Sequence, residues 1–437
     1  LDEAIEKYRR IRRVEVAIGR PIGTMIDLPG PKVRAGHMPE EGLHVEEGER
    51  LRLVPGNEPS VPGVVNVDHE GLLVDLHQGD KVAFGDGVVV AEVVDRTGDH
   101  LVARITHGGL LQGRPGVHIP SDRLRIPSPT PDDLRMLDAF VEEGIDMVAV
   151  SFVRSAHDIR RIGVEPHPRG PMVIAKIETR AAVDNLDSII EASGGVMIAR
   201  GDLGAEMPIE ELPHLQKRIL ERCITLGRPA ITATQMLESM VTAPSPTRAE
   251  ASDVANAVFD GSSALMLSGE SAIGHDPINA VATMARIAAR ADDEFDYDAW
   301  GAKVHKIAST LQPHIDDTVT LSMTNAAWRA ALEAGASAIL CVTRTGFTVR
   351  SIARFRPQAK IIGFSTDPQT LRQLTLSWGA TPLHLDIDPQ ADNAVSRAVE
   401  TAREAGQIRR GDLIAVLSGS KEYPGQATDT LRLIPIK

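Results

Sequence analysis

Met172-Val-Ile-Ala-Lys-Ile-Glu178 and, further on, Gly194-Gly-Val-Met-Ile-Ala-Arg-Gly-Asp-Leu-Gly-Ala-Glu-Met-Pro208 are the two stretches on which the reading of this chain turns. Each holds an apolar run with the character of a strand buried on both faces, and each run stops at charged residues. The first ends on Lys176 and Glu178, the second on Arg200, Gly201 and Asp202. In parallel α/β proteins chemistry sits where strands end and loops begin. Two carboxylates at such a place can hold a divalent cation, and a lysine beside them can neutralise an anionic group, a set suited to phosphoryl transfer. The same residues also read as an ordinary salt-bridge cluster capping a barrel.

The alternation of strand and helix extends in both directions. Toward the C-terminus, residues 210–226 predict a long helix, Ala230-Ile-Thr-Ala-Thr-Gln235 a strand, residues 247–259 a helix, Ala264-Leu-Met-Leu-Ser-Gly269 a strand and residues 278–291 a helix, before an acidic junction over 292–300. Toward the N-terminus, Met147-Val-Ala-Val-Ser-Phe152 predicts a strand, preceded by a helix with Thr130 as N-cap and Pro131 at its first position. Pro21-Ile-Gly-Thr-Met-Ile-Asp27 reads as a buried strand that runs into Asp27-Leu-Pro-Gly-Pro-Lys-Val-Arg34, whose Pro and Gly force a rigid turn. Its two cations, Lys32 and Arg34, read either as solvated charges on a surface loop or as a phosphate-facing loop at a strand end. Residues 1–13 are charged and permit helix. A closed parallel barrel needs eight strands. Six are counted, so two more are expected ahead of Leu1, and the short stretch 160–171 is a candidate for a further gap.

Two other textures interrupt or follow this repeat. Residues 37–120 carry short alternating runs between Gly, Asp and Pro turns, the pattern of a small all-β insertion suited to a lid. Beyond residue 300 short strands and helices alternate again, predicting a doubly wound open sheet. It includes a helix over 325–334 with Gly335 as its stop. In its loop Thr343-Arg-Thr-Gly-Phe-Thr348, hydroxyls and backbone N–H groups at a helix start could grip a phosphate, or could form only an N-cap turn. The expected division is therefore 1–36 and 121–300 for the barrel, 37–120 for the lid and 301–437 for the C-terminal α/β unit.

Composition narrows the function. The 437 residues are 42% hydrophobic and 24% charged, which suits a globular chain of two or three domains. Aromatic content of 3% and a formal net charge of -13 argue against a nucleic-acid partner. Cys223 and Cys341 stand far apart, without the spacing of a zinc site or a disulfide framework, so a reducing cytoplasm is expected. No apolar run reaches membrane-spanning length and no signal peptide is expected, so no membrane partner is either.

Taken with Val150-Ser-Phe-Val-Arg154, Ala233-Thr-Gln-Met-Leu-Glu-Ser-Met240, Pro246-Thr-Arg-Ala-Glu250 and Met266-Leu-Ser-Gly-Glu270, these motifs give the chain a close resemblance to the pyruvate kinase family over nearly its whole length. The resemblance implies a (β/α)8 barrel interrupted by a β-rich lid and followed by a regulatory α/β domain. It implies phosphoryl transfer from phosphoenolpyruvate to ADP, giving pyruvate and ATP, in a cytoplasmic homotetramer. It places the divalent-metal ligands, for Mg²⁺ or Mn²⁺, on Glu178 and Asp202, and the lysine that stabilises the transferring group on Lys176. It places the substrate carboxylate on backbone N–H groups around Arg200, Gly201 and Asp202. Thr234 falls beside the enolate, Arg34 on a phosphate or nucleotide, and Asp27 on a monovalent cation. Ser151, Ser268 and Glu270 fall on the pocket wall. A phosphorylated effector is expected at Thr343, Thr345 and Thr348, with Lys421 and Tyr423 closing over it.

Departures from the family pattern add expectations. The Arg and Asn-Phe-Ser-His-Gly stretch that holds phosphate and potassium in the family is not in this sequence, so these residues alone do not complete the site. A lid position where many relatives carry a lysine reads Val94, so no catalytic residue is assigned to the lid. Lys32 stands where potassium-requiring relatives carry a glutamate, which predicts a tethered ammonium in place of the monovalent cation. Replacing Glu178 or Asp202 with Ala is expected to abolish activity in Mg²⁺ with little effect on folding, because each ends a strand. Two other readings compete: a metal-dependent barrel aldolase acting on pyruvate-type enolates, and a catalytically silent ligand sensor using only the C-terminal domain.

Overall fold

Six parallel strands form the central sheet of the computed structural model, in the order Met25–Leu28, Met147–Val150, Met172–Ile177, Gly195–Ala199, Ala230–Ala233 and Ala264–Leu265. The structure describes residues 1–85, 87–308, 315–419 and 428–437. The middle strands are buried at almost every position, which is why they read as unbroken apolar runs rather than alternating ones. Helices follow the strands and cover the sheet. Pro131–Glu142 starts at Thr130, whose hydroxyl accepts the Asp133 N–H while the Asp133 carboxylate accepts the Thr130 N–H.

Two strands are shorter than their apolar runs suggest, each because a carboxylate takes an N–H near the strand end. Glu15 on the first helix, Asp2–Ile18, accepts the Ile22 N–H and Asp146 accepts the Thr24 N–H, and the strand begins only at Met25. Glu270 accepts the N–H groups of Leu237 and Ser268, and the strand expected over 264–269 stops at Leu265. The junction over 292–300 runs into the helix Tyr297–Ala308, and the helix expected over 325–334 is the second half of Ile315–Ala334.

The β-rich insertion forms a seven-stranded sheet from Val33–Arg34 to Gly116–His118. Alternation along Val89–Thr97 sends every second residue of its first half into a core with Leu53, Phe84 and Ile105. The sheet begins at Val33, so Lys32 and Arg34 stand on the seam between lid and barrel.

The C-terminal sheet runs Ala380–His384, Lys360–Ser365, Ala338–Val342, Leu413–Ser418 and Thr430–Pro435, with only the last strand antiparallel to its neighbour. Its doubly wound character follows from alternation: Ile339 and Cys341 face one apolar core, with Val349 and Ile352, while Ala338, Leu340 and Val342 face another, with Ala394, Ala398 and Ala402. Cys223 and Cys341 are both buried free thiols. Among the described residues no helix is long and apolar enough to cross a membrane.

The C-terminal unit is bolted to the base of the barrel by Asp146, which is fully buried. Its carboxylate accepts from the Thr24 N–H and hydroxyl and from Arg372 Nε at 2.6 Å, with Arg12 at 3.3 Å. Gln373 donates across the same seam to the Asp146 and Gly170 carbonyls. The stretch 160–171 serves this seam too: after the helix Ala156–Arg160, its His167 meets the Arg350 guanidinium at 3.2 Å. Asp146→Ala strips two arginines of a buried partner, so the denaturant midpoint should fall by the equivalent of about 3–5 kcal/mol. An unchanged midpoint would mean the seam does not depend on this cluster.

Candidate active site

Lys176 is the penultimate residue of the strand Met172–Ile177, and the pleat turns its side chain inward among the strand ends. Its ammonium lies 2.8 Å from Ser151 Oγ, 2.9 Å from Glu178 Oε1 and 3.1 Å from Asp27 Oδ1. Only 8% of Lys176 is exposed. Burial disfavours its charge, but Glu178 and Asp27 more than offset this and hold its pKa above the ordinary lysine value. Asp27 is largely exposed. Ser151 is buried and bridges the ammonium to the Asp27 carboxylate.

Glu178 is 1% exposed, because the loop after Met147–Val150 folds over it and the Phe152 N–H donates to Oε2 at 2.6 Å. Its other oxygen, Oε1, is close to Lys176 yet makes no aligned hydrogen bond. Burial first, and then the charge of Asp202, push the carboxyl up to about 7 despite the lysine. A buried carboxylate with an unbonded oxygen beside a second carboxylate is a site short of positive charge, and a divalent cation fits that shortage. Among the described residues no cluster of three or more His, Cys, Asp or Glu could hold a metal. A cation on Glu178 and Asp202 would therefore take its remaining ligands from water and substrate oxygens, as Mg²⁺ commonly does. The expectation that Glu178 can be truncated with little effect on folding is overturned by its burial and its bond to Phe152: it ends a strand but is sealed inside.

Asp202 and Gly201 lie in the first turn of the helix Arg200–Glu206. The Gly201 N–H is not free: it donates to Thr234 Oγ1 at 2.8 Å. Thr234 and Gln235 both have positive φ, 66° and 53°, where β-branched and long side chains are strained. Arg200 holds that turn, donating to the Thr234 carbonyl at 2.8 Å while pairing with Asp253. The arginine thus supports the turn that presents the threonine.

On the lid side, Gly30 has φ 67°, and a Cβ there would crowd Ser151 and Phe152 at 3.0–3.2 Å, so the turn carrying Lys32 and Arg34 lies close on the site. Lys32, Arg34, Arg114, Arg154, Gly201 and Asp202 line a cleft of about 450 Å³ between lid and barrel. Both Lys32 and Arg34 are exposed, and among the described residues neither pairs with a carboxylate. Glu270 is fully buried and, accepting the N–H groups of Leu237 and Ser268, clamps the backbone behind the Thr234 turn.

A profile of the pyruvate kinase barrel domain matches residues 1–281, and one of the pyruvate kinase alpha/beta domain matches residues 322–434. The chain belongs to the pyruvate kinase family. A pyruvate kinase of Clostridium acetobutylicum is 37% identical over 427 residues, covering 97% of this chain and 89% of the relative. One of Agrobacterium vitis is 36% identical over 434 residues, covering 99% and 90%, and one of Geobacillus stearothermophilus is 36% identical over 423 residues, covering 96% and 71%. Pyruvate kinases are metal-dependent phosphotransferases, and the chain is an enzyme of that class.

Within this pyruvate kinase fold the sequence reading missed Glu206. Its carboxylate accepts from the Ser121 N–H at 2.9 Å, the Ser121 hydroxyl at 2.8 Å and the Arg180 N–H at 2.6 Å, with His118 Nε2 at 3.3 Å. It ties the end of the lid to the helix that carries Asp202. Burial opposes its charge, but the nearby His118 ring and the bonds from Arg180 and Ser121 hold the carboxyl below the usual range. The signal was a charged residue inside a motif already singled out. At the other candidate site, Thr343 and Thr345 turn their hydroxyls to the N–H groups of Gly346 and Phe347, while the buried Thr348 hydroxyl meets that of Thr428. Lys421 and Tyr423 lie outside the described residues.

Proposed function

We propose that this enzyme transfers the phosphoryl group of phosphoenolpyruvate to ADP, giving pyruvate and ATP, the last step of glycolysis. The observation that carries the reading is the Lys176 ammonium, kept charged among Asp27, Ser151 and Glu178 at the strand ends. Lys176 neutralises the charge that spreads over the in-flight phosphoryl oxygens. A divalent cation, Mg²⁺ or Mn²⁺, on Glu178 and Asp202 would supply Lewis-acid charge on the same oxygens. Thr234 presents its hydroxyl beside the enolate carbon, and Arg34 binds phosphate across the cleft. The barrel of residues 1–36 and 121–300 is the catalytic part, 37–120 the lid and 301–437 the regulatory part of a cytoplasmic homotetramer. The test is pyruvate formation with phosphoenolpyruvate and Mg²⁺, with and without ADP. Pyruvate that appears only with ADP supports the kinase, whereas release from a hydroxy-keto acid without ADP favours an aldolase.

Lys32 replaces the monovalent cation in this reading. It is exposed on the cleft, where its ammonium sits as a tethered positive charge. The enzyme should turn over in buffer free of potassium and ammonium, whereas Lys32→Glu, a two-unit charge reversal, should be slowed roughly thirtyfold and rescued by potassium, the scale of ~1 kcal/mol for each solvent-screened unit of charge. A parent enzyme nearly inactive until potassium is added would refute it.

Activation by a phosphorylated metabolite is proposed at the loop of Thr343, Thr345 and Thr348. The buried Thr348 hydroxyl meets the Thr428 hydroxyl at that loop. Thr348→Ala should shift the activation midpoint upward by about tenfold to a hundredfold, the value of one hydrogen bond to a charged group. If every activating phosphometabolite keeps its activation curve, the site lies elsewhere.

A further inference from the structure

At the opposite end of the barrel from Thr234, a cavity of about 30 Å³ opens on the seam with the C-terminal unit. Pro229 and Ser263, just ahead of the strands Ala230–Ala233 and Ala264–Leu265, line its barrel side. Four arginines line it as well, Arg228, Arg350, Arg354 and Arg356, and among the described residues no carboxylate does. Arg356 is satisfied: it donates to the Val258 and Ser262 carbonyls, stacks against Phe295, Trp300 and Trp378, and has Asp292 nearby. Arg350 donates to the Thr345 carbonyl and meets His167 through one nitrogen, while its other terminal nitrogen is buried without a partner among the described residues.

Arg354 is the least provided for. It is 8% exposed, and its Nε and one terminal nitrogen are buried with no hydrogen-bond partner among the described residues. Its guanidinium lies over the Phe355 ring, and no acid pairs with it there. The buried Ser377 hydroxyl on the cavity wall is also unpartnered. A buried guanidinium without a counter-charge is costly, and several sharing one cavity repel each other. Burial pushes Arg354 down to about 10. Burial, together with the charge of Arg228, pushes Arg350 down to about 9. Two nitrogens of Arg354, one terminal nitrogen of Arg350 and the Ser377 hydroxyl thus lack a hydrogen-bond partner at this cavity among the described residues.

We propose that this cavity binds a phosphoryl oxyanion, held by Arg354 and Ser377 with Arg350 and Arg228 completing the charge. The planar guanidinium fork matches phosphate oxygens two at a time. The free volume takes two or three water-sized atoms, the scale of the terminal oxygens of one phosphoryl group, and the open mouth leaves room for an ester substituent. Because one wall is barrel and the other is the α/β unit, the bound anion clamps the two together. The site is separate from the Thr343–Thr348 hydroxyls, which face their own loop.

The test follows thermal unfolding and titration calorimetry of the full chain with inorganic phosphate, with glycerol 2-phosphate and with chloride as the control anion. Phosphate bound in the catalytic cleft contributes equally to parent and variants, so the difference isolates the seam. The parent should show a saturable rise in midpoint with phosphate that Arg354→Met loses, with affinity at this site down about tenfold or more. Arg354→Met should also be the more stable protein in anion-free buffer, because the unpaired charge is gone. Arg354→Lys keeps the charge and should keep part of the response. Glycerol 2-phosphate binding as well as phosphate assigns a monoester ligand, and binding of phosphate alone assigns the free ion. Identical phosphate responses in parent and Arg354→Met, or equal responses to phosphate and chloride, would overturn the proposal.

Discussion

Lys176→Met should lower kcat by about 10²–10³ while the protein still folds, the scale of losing one preorganised charge at the reacting group. Met fills much of the volume of the lysine stem, so the strand ends keep their packing. The carboxylates left behind have an outlet. Asp27 is exposed to water, and Glu178, already pushed up to about 7, takes a proton more readily once the ammonium is gone. Ser151 keeps its bond to Asp27. The loss should fall on kcat more than on KM, because the charge Lys176 faces is greatest while the phosphoryl group is in flight. Steady-state kinetics at saturating phosphoenolpyruvate and ADP, beside circular dichroism of both proteins, reads it directly. A folded Lys176→Met within tenfold of the parent would remove the lysine from the chemistry and leave it as a salt-bridge residue.

What could be read from the sequence follows how local the cause is. Met172–Ile177 and Gly195–Ala199 were legible because a strand buried on both faces must be apolar throughout, so the charged residue that ends the run stands out. That put Lys176, Glu178 and Asp202 together before any coordinate. The assignment of roles came from the resemblance, not from the spacing. The end of the strand at Leu265 was not legible, because Glu270 acts on an N–H of the preceding βα turn as well as on Ser268. Glu206 was missed because its partners Ser121 and Arg180 lie 85 and 26 residues away. The Arg354 cavity has no sequence signature at all: arginines are common in surface helices, and only the packed seam makes this one buried and unpaired.

Glu178→Gln is the substitution that tests the metal site, and it should abolish Mg²⁺-dependent turnover to about 1% or less of the parent. Ala is the wrong choice here. It would open a cavity at a 1% exposed position and leave the Phe152 N–H without its acceptor. Gln keeps the shape and an amide oxygen for Phe152 and removes only the charge. With that charge gone, Asp202 is the remaining carboxylate of the pair, and two neutral or singly charged oxygens hold a hard cation poorly. Affinity for Mn²⁺, read by electron paramagnetic resonance without substrate, should fall by more than the ~10–100-fold typical of losing even an outer-shell partner. This readout is independent of catalysis, so it separates a lost metal site from a lost acid or base. Asp202→Asn should behave alike, and if both hold one ion, as proposed, its effect should not add fully to that of Glu178→Gln. Parent-like Mn²⁺ affinity in a folded Glu178→Gln protein would move the cation to other residues.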